Sequence, residues 1–339
     1  MRRDASILIL SWNGFADTVE CVESILASED LPSRIVIIDN GSTGDQYSLI
    51  RQWALSQAKE SARNTDAEDH TQFVARGDVD VHLIGLPENI GFARGINWGV
   101  KWLDECFGDH VLVILNNDTT VEPSMFGQLL DTLSSALRPF MVAPRIMMSP
   151  ERDRVWNCCG ELLPFGLRRY HHAGKKWTDS VGVEIRKVSF ATGCCLAFQI
   201  REFIQLGGFT EDFFFGEEDF ELCHRIRRHG KLILCRRDAV MHHKVGVSQK
   251  LLTSNGAKRA YLYYLNRAID IRRNGLYKPL SFRLWALVYS VYIGFILMRG
   301  GMDVKGVKQF LRELFSEAET RDGVSKERFL QIMQERVTE

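Results

Sequence analysis

Along residues 5–11, 34–39, 79–84 and 111–115 apolar side chains run almost without a break, which predicts short strands covered on both faces. Between them, residues 18–27 and 92–106 repeat apolar positions every three or four residues, the period of a helix with one buried side. Strands alternating with such helices predict an α/β fold built on a mostly parallel central sheet with helices on both faces. Residues 57–78 are polar and aperiodic and predict a solvated insertion. From residue 141 the rhythm changes to short strands (186–198 and 231–235), Gly-rich turns and a helix over 218–229, predicting a second lobe on the same sheet. Beyond residue 250 the chain reads as helical. The expected layout is one α/β domain over 1–250, with halves 1–140 and 141–250, followed by a helical region over 251–339.

Composition narrows the class. A chain of 339 residues with 45% apolar content can fill a globular core. Its 43 basic and 43 acidic residues balance, so no general attraction to nucleic acid is implied. The balance is uneven, because residues 258–312 carry eleven Lys or Arg against Asp270 and Asp303 alone. The eight cysteines include two adjacent pairs and no C-x-x-C spacing, which argues against a structural zinc. The apolar run over 6–10 is too short for a secretory signal, and a reducing cytoplasm is the expected compartment.

Four constellations carry chemistry. The strand at 111–115 ends in Asn116-Asn117-Asp118, followed by Pro123, and so delivers a carboxylate to the strand edge where nucleotides and their metals bind in open α/β sheets. Oxygen ligands there suit Mg2+ or Mn2+; a plain Asn/Asp turn is the other reading. Ser11-Trp12-Asn13 and Asp39-Asn40-Gly41-Ser42 end the first two strands on the same rim, where Asp39 can accept hydrogen bonds from a base or ribose and Ser42 or Asn40 can cap a helix. In the second constellation, Asn89 to Gly99, Gly91 permits close backbone approach and Arg94 adds a cation for a diphosphate, with Asn97 on the same segment. Gly91, Gly95 and Gly99 are also spaced to let the helix pack closely.

The third is Gly207 to Cys223. Counting by three and four from Asp219 reaches Leu222, Cys223 and Ile226, so Asp219 falls on the apolar stripe, where desolvation suits a general base. Glu217 and Glu218 are explained by the preference of acids for a helix's first turn. The fourth holds His242 and His243, which point to opposite faces of an extended segment, so that only one can join Asp118 on a metal.

In this order, the four segments resemble the family 2 glycosyltransferases of GT-A fold, a Rossmann-like architecture, and most closely their bacterial rhamnosyltransferase-like branch. The resemblance runs over about residues 5–250. It implies an inverting transfer of a sugar from a nucleotide-diphosphate sugar, dTDP-rhamnose or a UDP-sugar, to a hydroxyl of a cell-surface polysaccharide or polyprenyl-linked glycan. It places Asp219 as base, Asp118 and His243 on Mg2+ or Mn2+, and Ser11, Asn13, Asp39, Asn40, Asn89, Gly91, Arg94, Asn97 and Asn117 about the donor. Thr192, Gly193 and Glu218 line the acceptor side in this picture, with His171 and His172 in a preceding loop. Two departures stand out. Asp118 is the lone carboxylate where relatives often carry D-x-D, and Asn266-Arg267-Ala268 replaces an Arg-Asn pair.

A nucleotide-sugar-binding subunit without catalysis is the rival reading; retention of both Asp118 and Asp219 argues against it. A nucleotidyltransferase needs a basic Gly-rich loop after the first strand, which Ser11-Trp12-Asn13-Gly14-Phe15 lacks. Residues 284–298 carry no formal charge and are too short for a bilayer core of about 30 Å. They fit a helix lying in the interface on the cytoplasmic face of the inner membrane, beside the basic stretch, or a helix buried against the core or a homodimer partner.

Overall fold

A computed structural model describes residues 2–57, 65–66, 69–163, 166–178, 185–244, 256–273 and 279–334. Its first half runs β1 (Arg2–Ser11), α1 (Phe15–Leu26), β2 (Leu31–Asp39), α2 (Gln46–Gln57), β3 (Thr65–Asp66), β4 (His70–Val74), β5 (Asp80–Gly85), α3 (Phe92–Phe107) and β6 (Val111–Asn116). The second half runs β7 (Thr119–Val121), α4 (Met125–Leu133), β8 (Met141–Met148), β9 (Val155–Asn157), β10 (Gly160–Leu162), β11 (Arg168–Tyr170), β12 (Ile185–Val188), β13 (Cys195–Gln199), α5 (Ile200–Gln205), α6 (Glu218–Arg228) and β14 (Ile233–His243). Helices α7 (Gly256–Arg273), α8 (Pro279–Arg299), α9 (Val304–Thr320) and α10 (Lys326–Gln334) follow.

The strands lie in the order β12-β14-β8-β13-β6-β1-β2-β5-β4-β3, with β7 on β14 and β9 on β8. β6, β1, β2 and β5 are parallel neighbours. The chain builds outward from β1 through β2 to β5, then returns across β1 to β6. That reversal leaves a crevice at the carboxyl ends of β1 and β6.

Near-continuous apolar runs form the central strands because each face has its own cover. Leu8, Val36, Ile38, Leu112 and Ile114 share one core with Ile96 and Val100 of α3 and Leu222 and Ile226 of α6. The alternate residues Ile7, Ile9, Ile35, Ile37, Val113 and Leu115 share the other with Val22 and Ile25 of α1 and Phe126 and Leu129 of α4. A third core joins α7–α10 around Trp285, Tyr289, Ile293 and Leu314.

Three expectations change. Part of the segment expected to be a solvated insertion, 57–78, is strand: β4 pairs antiparallel with β5 from His70↔Ile84 to Val74↔Asp80, with Thr71 and Phe73 buried. A five-residue strand is too brief for its alternation to show against polar neighbours. The single strand expected over 186–198 is two, β12 on β14 and β13 on β6, joined by a segment that holds Thr192 and Gly193. The strand expected over 231–235 extends to His243.

The C-terminal helices also reach back to the sheet. Phe214 N–H donates to Val324 O and Val324 N–H to Asp212 O, each at 2.8 Å, and Phe329 of α10 packs on Phe214 with ring centres 5.1 Å apart. On α3 the glycine spacing serves packing: a Cβ on Gly99 would lie 2.4 Å from Ile38 Cδ1 and 2.8 Å from Leu8 Cδ1. Gly99→Val is therefore expected to lower stability by about 1–3 kcal/mol through overpacking, measured as a shift in the denaturant midpoint. An unchanged midpoint would show that α3 does not rest on these strands.

Candidate nucleotide cleft and carboxylate site

The β1/β6 crevice is a cleft lined by Leu10, Ser11 and Trp12 from β1 and its turn, Asn116, Asn117 and Asp118 beyond β6, and His243, Phe214 and Phe215 opposite. It encloses about 150 Å³. Asp118 and His243 meet because β14 pairs with β7 in a register that sets His243 opposite Thr119. His243 Nε2 then lies 3.1 Å from Asp118 Oδ1, both side chains buried. Lys244 N–H donates to Asp118 O at 3.0 Å. Trp156 packs edge-on against the imidazole at 4.6 Å and restrains its orientation. His242 faces away, its Nε2 2.7 Å from Glu122 Oε1, as expected for adjacent residues of a strand.

One carboxylate and one imidazole at a cleft floor are a donor pair that suits Mn2+ and tolerates Mg2+. Among the described residues no group of three His, Cys, Asp or Glu side chains gathers around a point. The residues fit an ion that takes its remaining ligands from water and a bound diphosphate.

Asparagines bind the surrounding turns together. Asn40 Nδ2 donates to Asn89 Oδ1 (3.1 Å) and Gly91 O (3.3 Å), and its Oδ1 accepts from Ile90 N–H (3.1 Å). Asn13 accepts from Thr43 N–H at 2.8 Å while its own N–H donates to Ser42 Oγ at 2.8 Å. Neither Asn40 nor Ser42 is spent on capping α2. Gly91 has φ +92°, and a Cβ there would lie 2.7 Å from Phe214 O, so close approach of the Phe214 loop requires glycine. Asp39 lies beneath this turn. Its Oδ1 accepts from Ser42 N–H (2.9 Å), its Oδ2 is buried without a partner, and burial raises its pKa.

Of the other predicted donor contacts, Ser11 and Asn117 line the cleft and Asn97 and Arg94 do not. Ser11 Oγ is turned to Thr18 Oγ1 (2.8 Å), and Asn117 Nδ2 donates to the same hydroxyl at 3.1 Å, so both order the β1 and β6 turns. Asn97 holds the backbone of Phe209 from both sides, at 2.8 and 2.9 Å. Arg94 is exposed, 3.4 Å from Glu211, in a separate hollow with Glu88 and Lys326. One helical turn of displacement carries it out of the crevice.

The second carboxylate site borders the first through one loop. Gly193 N–H donates to Asp219 Oδ2 (3.0 Å), and the next residue, Cys194, accepts Asn116 N–H at 2.9 Å through its carbonyl. Phe220 N–H donates to Asp219 Oδ1 at 2.8 Å, and Thr192 beside them is half-buried. The order of burial differs from the helix-periodicity expectation: Glu217 and Glu218 are buried while Asp219 is half-buried. Glu217 sits before α6 with φ +83° and is paired with the buried Arg168, whose guanidinium stacks on Phe220 at 3.2 Å. Burial, only partly offset by the Gly193 N–H and the Arg168 charge, lifts Asp219 to about 6. Burial and then the Asp219 charge lift Glu218 to about 8, and its Oε2 has no partner.

Beyond Phe215, which is common to both, an apolar hollow of about 380 Å³ is lined by Leu262, Tyr263 and Tyr264 of α7 with Glu217 and Phe329. Asn266 Nδ2 donates to Phe215 O at 2.9 Å, and Arg267 Nη1 to Tyr289 OH at 2.7 Å. Arg168, Trp156 and the α7 tyrosines carry no spacing signal that ties them to the site; only the Asn266-Arg267 pair was marked in the sequence. His172 is turned to Arg237 (2.7 Å) and His171 to Glu161 (3.5 Å), away from the cleft.

The mostly parallel sheet with a crevice at its β1/β6 switch point agrees with the GT-A fold expected from the sequence. Residues 6–157 match the family "Glycosyl transferase family 2". A low-salt glycan biosynthesis hexosyltransferase of Haloferax volcanii is 24% identical over 237 residues, 67% of this chain and 63% of the archaeal protein; the match thus spans under two thirds of that relative. An N-acetylglucosaminyl-diphospho-decaprenol L-rhamnosyltransferase of Mycobacterium tuberculosis is 25% identical over 73% of this chain and 80% of its own length. The solved mannosyltransferase of Pyrobaculum calidifontis, in complex with GDP-Man and Mn2+, superposes with a TM-score of 0.53 at 14% identity, covering 94% of this chain and 76% of that one.

Burial of Glu218 has a pH signature. Unfolded, its carboxyl releases its proton near 4.5, whereas the folded one retains it to about 8. Its stabilising protonation is therefore fully present below pH 4.5 and is lost as pH rises to 8. Glu218→Gln should show a melting temperature that gains on the parent protein from pH 5 to 8 and levels off above. A difference independent of pH would contradict the buried placement.

Proposed function

We propose that this protein is an inverting glycosyltransferase that moves a sugar from a nucleoside-diphosphate donor to a hydroxyl of a glycan or polyprenyl-linked acceptor. The observation that carries the reading is the shared loop: Gly193 holds the Asp219 carboxylate while Cys194 is bonded to the Asn116-Asn117-Asp118 turn. A carboxylate of raised pKa thus lies one strand end away from a metal-type carboxylate–imidazole pair.

In this reading the diphosphate lies over Asp118, and the base points toward Trp12 and Asn40, the turn that Asp39 shapes through Ser42. Asp118 and His243 would hold Mg2+ or Mn2+, which, when bound, offsets the charge that develops on the leaving diphosphate. Asp219 accepts the proton of the acceptor hydroxyl as its oxygen bonds to the sugar carbon and the diphosphate oxygen departs. A single displacement inverts that carbon and needs no covalent sugar-enzyme intermediate. The Gly193 and Phe220 N–H groups keep the carboxylate ionised enough to act as base and aim it. The apolar hollow beyond Phe215 suits an acceptor with an apolar portion, a chemistry in line with the diphospho-decaprenol acceptor in the mycobacterial relative's name. Rhamnose from dTDP-rhamnose is the donor sugar we favour on the same ground, with UDP-sugars as the other class.

Donor class is read by a thermal-shift panel of UDP-, dTDP- and GDP-sugars with and without Mn2+. One nucleotide is expected to raise the melting temperature only with the metal, and Asp118→Ala should abolish that dependence in a chain that still melts cooperatively. A shift indifferent to metal and to Asp118 would refute the assignment.

Asp219→Asn should lower kcat about 100- to 10,000-fold while the donor-induced shift survives. Because the ionised carboxylate is the working form, kcat/KM of the parent protein should fall as pH drops through about 6. Retained turnover in Asp219→Asn, or a profile flat down to pH 5, would move the base elsewhere.

A further inference from the structure

Helix α8 is apolar on every side, yet only half of it is covered. The segment Ser281–Arg299 has a mean hydropathy of 1.6 and is long and apolar enough to cross a membrane; at about 1.5 Å per residue the whole helix reaches about 31 Å, longer than its charge-free run suggests. Trp285, Tyr289 and Ile293 are buried in the core they form with α7 and α9, and Tyr289 accepts the Arg267 hydrogen bond. On the other side Leu284 (65% exposed), Leu287 (68%), Val291 (74%) and Phe295 (61%) stand in solvent with Val288 and Met298. These positions recur every three or four residues and form one continuous stripe.

Charge distinguishes the possible covers of this stripe. Arg299 at the end of α8 and Lys305, Lys308 and Arg312 along α9 are all exposed, and Gly294 of α8 lies close to Val307 and Leu311 of α9, so the cations flank the C-terminal half of the stripe. The nearby acids are engaged: Asp303 caps α9 by accepting Gly306 N–H at 2.7 Å, and Glu313 accepts from Gln309 at 2.9 Å. At the other end Arg283 lies 3.1 Å from Glu319. Parallel two-fold pairing of this face with a second copy would set the same four cations against themselves, and antiparallel pairing would set them against the Arg283 end, whose nearby Glu319 is already paired. Spanning a bilayer would strip Trp285, Tyr289 and Ile293 of their packing. An anionic lipid surface satisfies both features, since the apolar stripe enters the headgroup boundary and the cations meet lipid phosphates.

We propose that the bare face of α8 docks in the plane of an anionic membrane surface, with Arg299, Lys305, Lys308 and Arg312 as its electrostatic rim. This stands apart from the transferase reading, because its test requires no turnover. The full chain is sedimented with vesicles of phosphatidylcholine alone and of phosphatidylcholine mixed with phosphatidylglycerol. Partition into the mixed vesicles is expected, weakened by salt and nearly absent with the neutral ones. A Lys305→Gln, Lys308→Gln, Arg312→Gln variant should lose on the order of 100-fold in partition, and a Val291→Asp, Phe295→Asp variant should stay in the supernatant, both with unchanged melting temperature because these side chains are exposed. Absence of partition, equal binding to neutral vesicles, or a dimer in light scattering that the Asp pair dissociates would overturn the proposal.

Discussion

Everything at the candidate site depends on the reversal of strand order at β1. Parallel strands bring their carboxyl ends to one edge, and the return of the chain across β1 to β6 leaves two of those ends side by side without a crossover between them. Leu10 is paired with Asn116 and Ser11 with Asp39, so three polar turns open onto one rim. Hydrogen bonds made by Asn13, Asn40, Asn89 and Asn117 then hold those turns, leaving Asp118 free to meet His243. The asparagines are thus spent chiefly on shape.

The opposite wall depends on buried charge. Glu217, Arg267 and Asp270 are buried, as is the side chain of Arg168, and such groups persist only where partners satisfy them. Arg168 meets Glu217 and Phe220, and Arg267 meets Tyr289 and Tyr263. This network anchors the start of α6 to β11 and α7, and with it the carboxylate of Asp219. The C-terminal helices therefore belong to the site: Asn266 and Val324 grip the backbone of the Phe213–Phe215 loop that walls the cleft.

Much of this was legible before any coordinates. The central strands, α1, α3 and α6 follow from apolar period, and the polar strand ends from composition at their termini. The glycines of α3 carried two readings; the close approach of Leu8, Leu10 and Ile38 gives Gly95 and Gly99 to packing, while Gly91 remains on the cleft. Less was legible where a residue's role depends on a distant partner. Arg94 and Asn97 share the segment of Gly91, yet the helix turns both to Glu211, with Asn97 also holding the backbone of Phe209. Strand β4 escaped notice because a short edge strand owes its formation to β5 and not to its own pattern.

The sequence by itself determined the central strands and the helices α1, α3 and α6 that cover them, that polar side chains gather at strand ends, and that Asp118, Asp219 and a histidine are the candidates for chemistry, because side-chain period records how each element meets its own core. Only the tertiary structure decided that His243 and not His242 faces Asp118, that Glu217 and Glu218 are buried more deeply than Asp219, and that one side of α8 is left bare. Those outcomes turn on which distant element lies opposite, and period within one element holds no information about its neighbour across the fold.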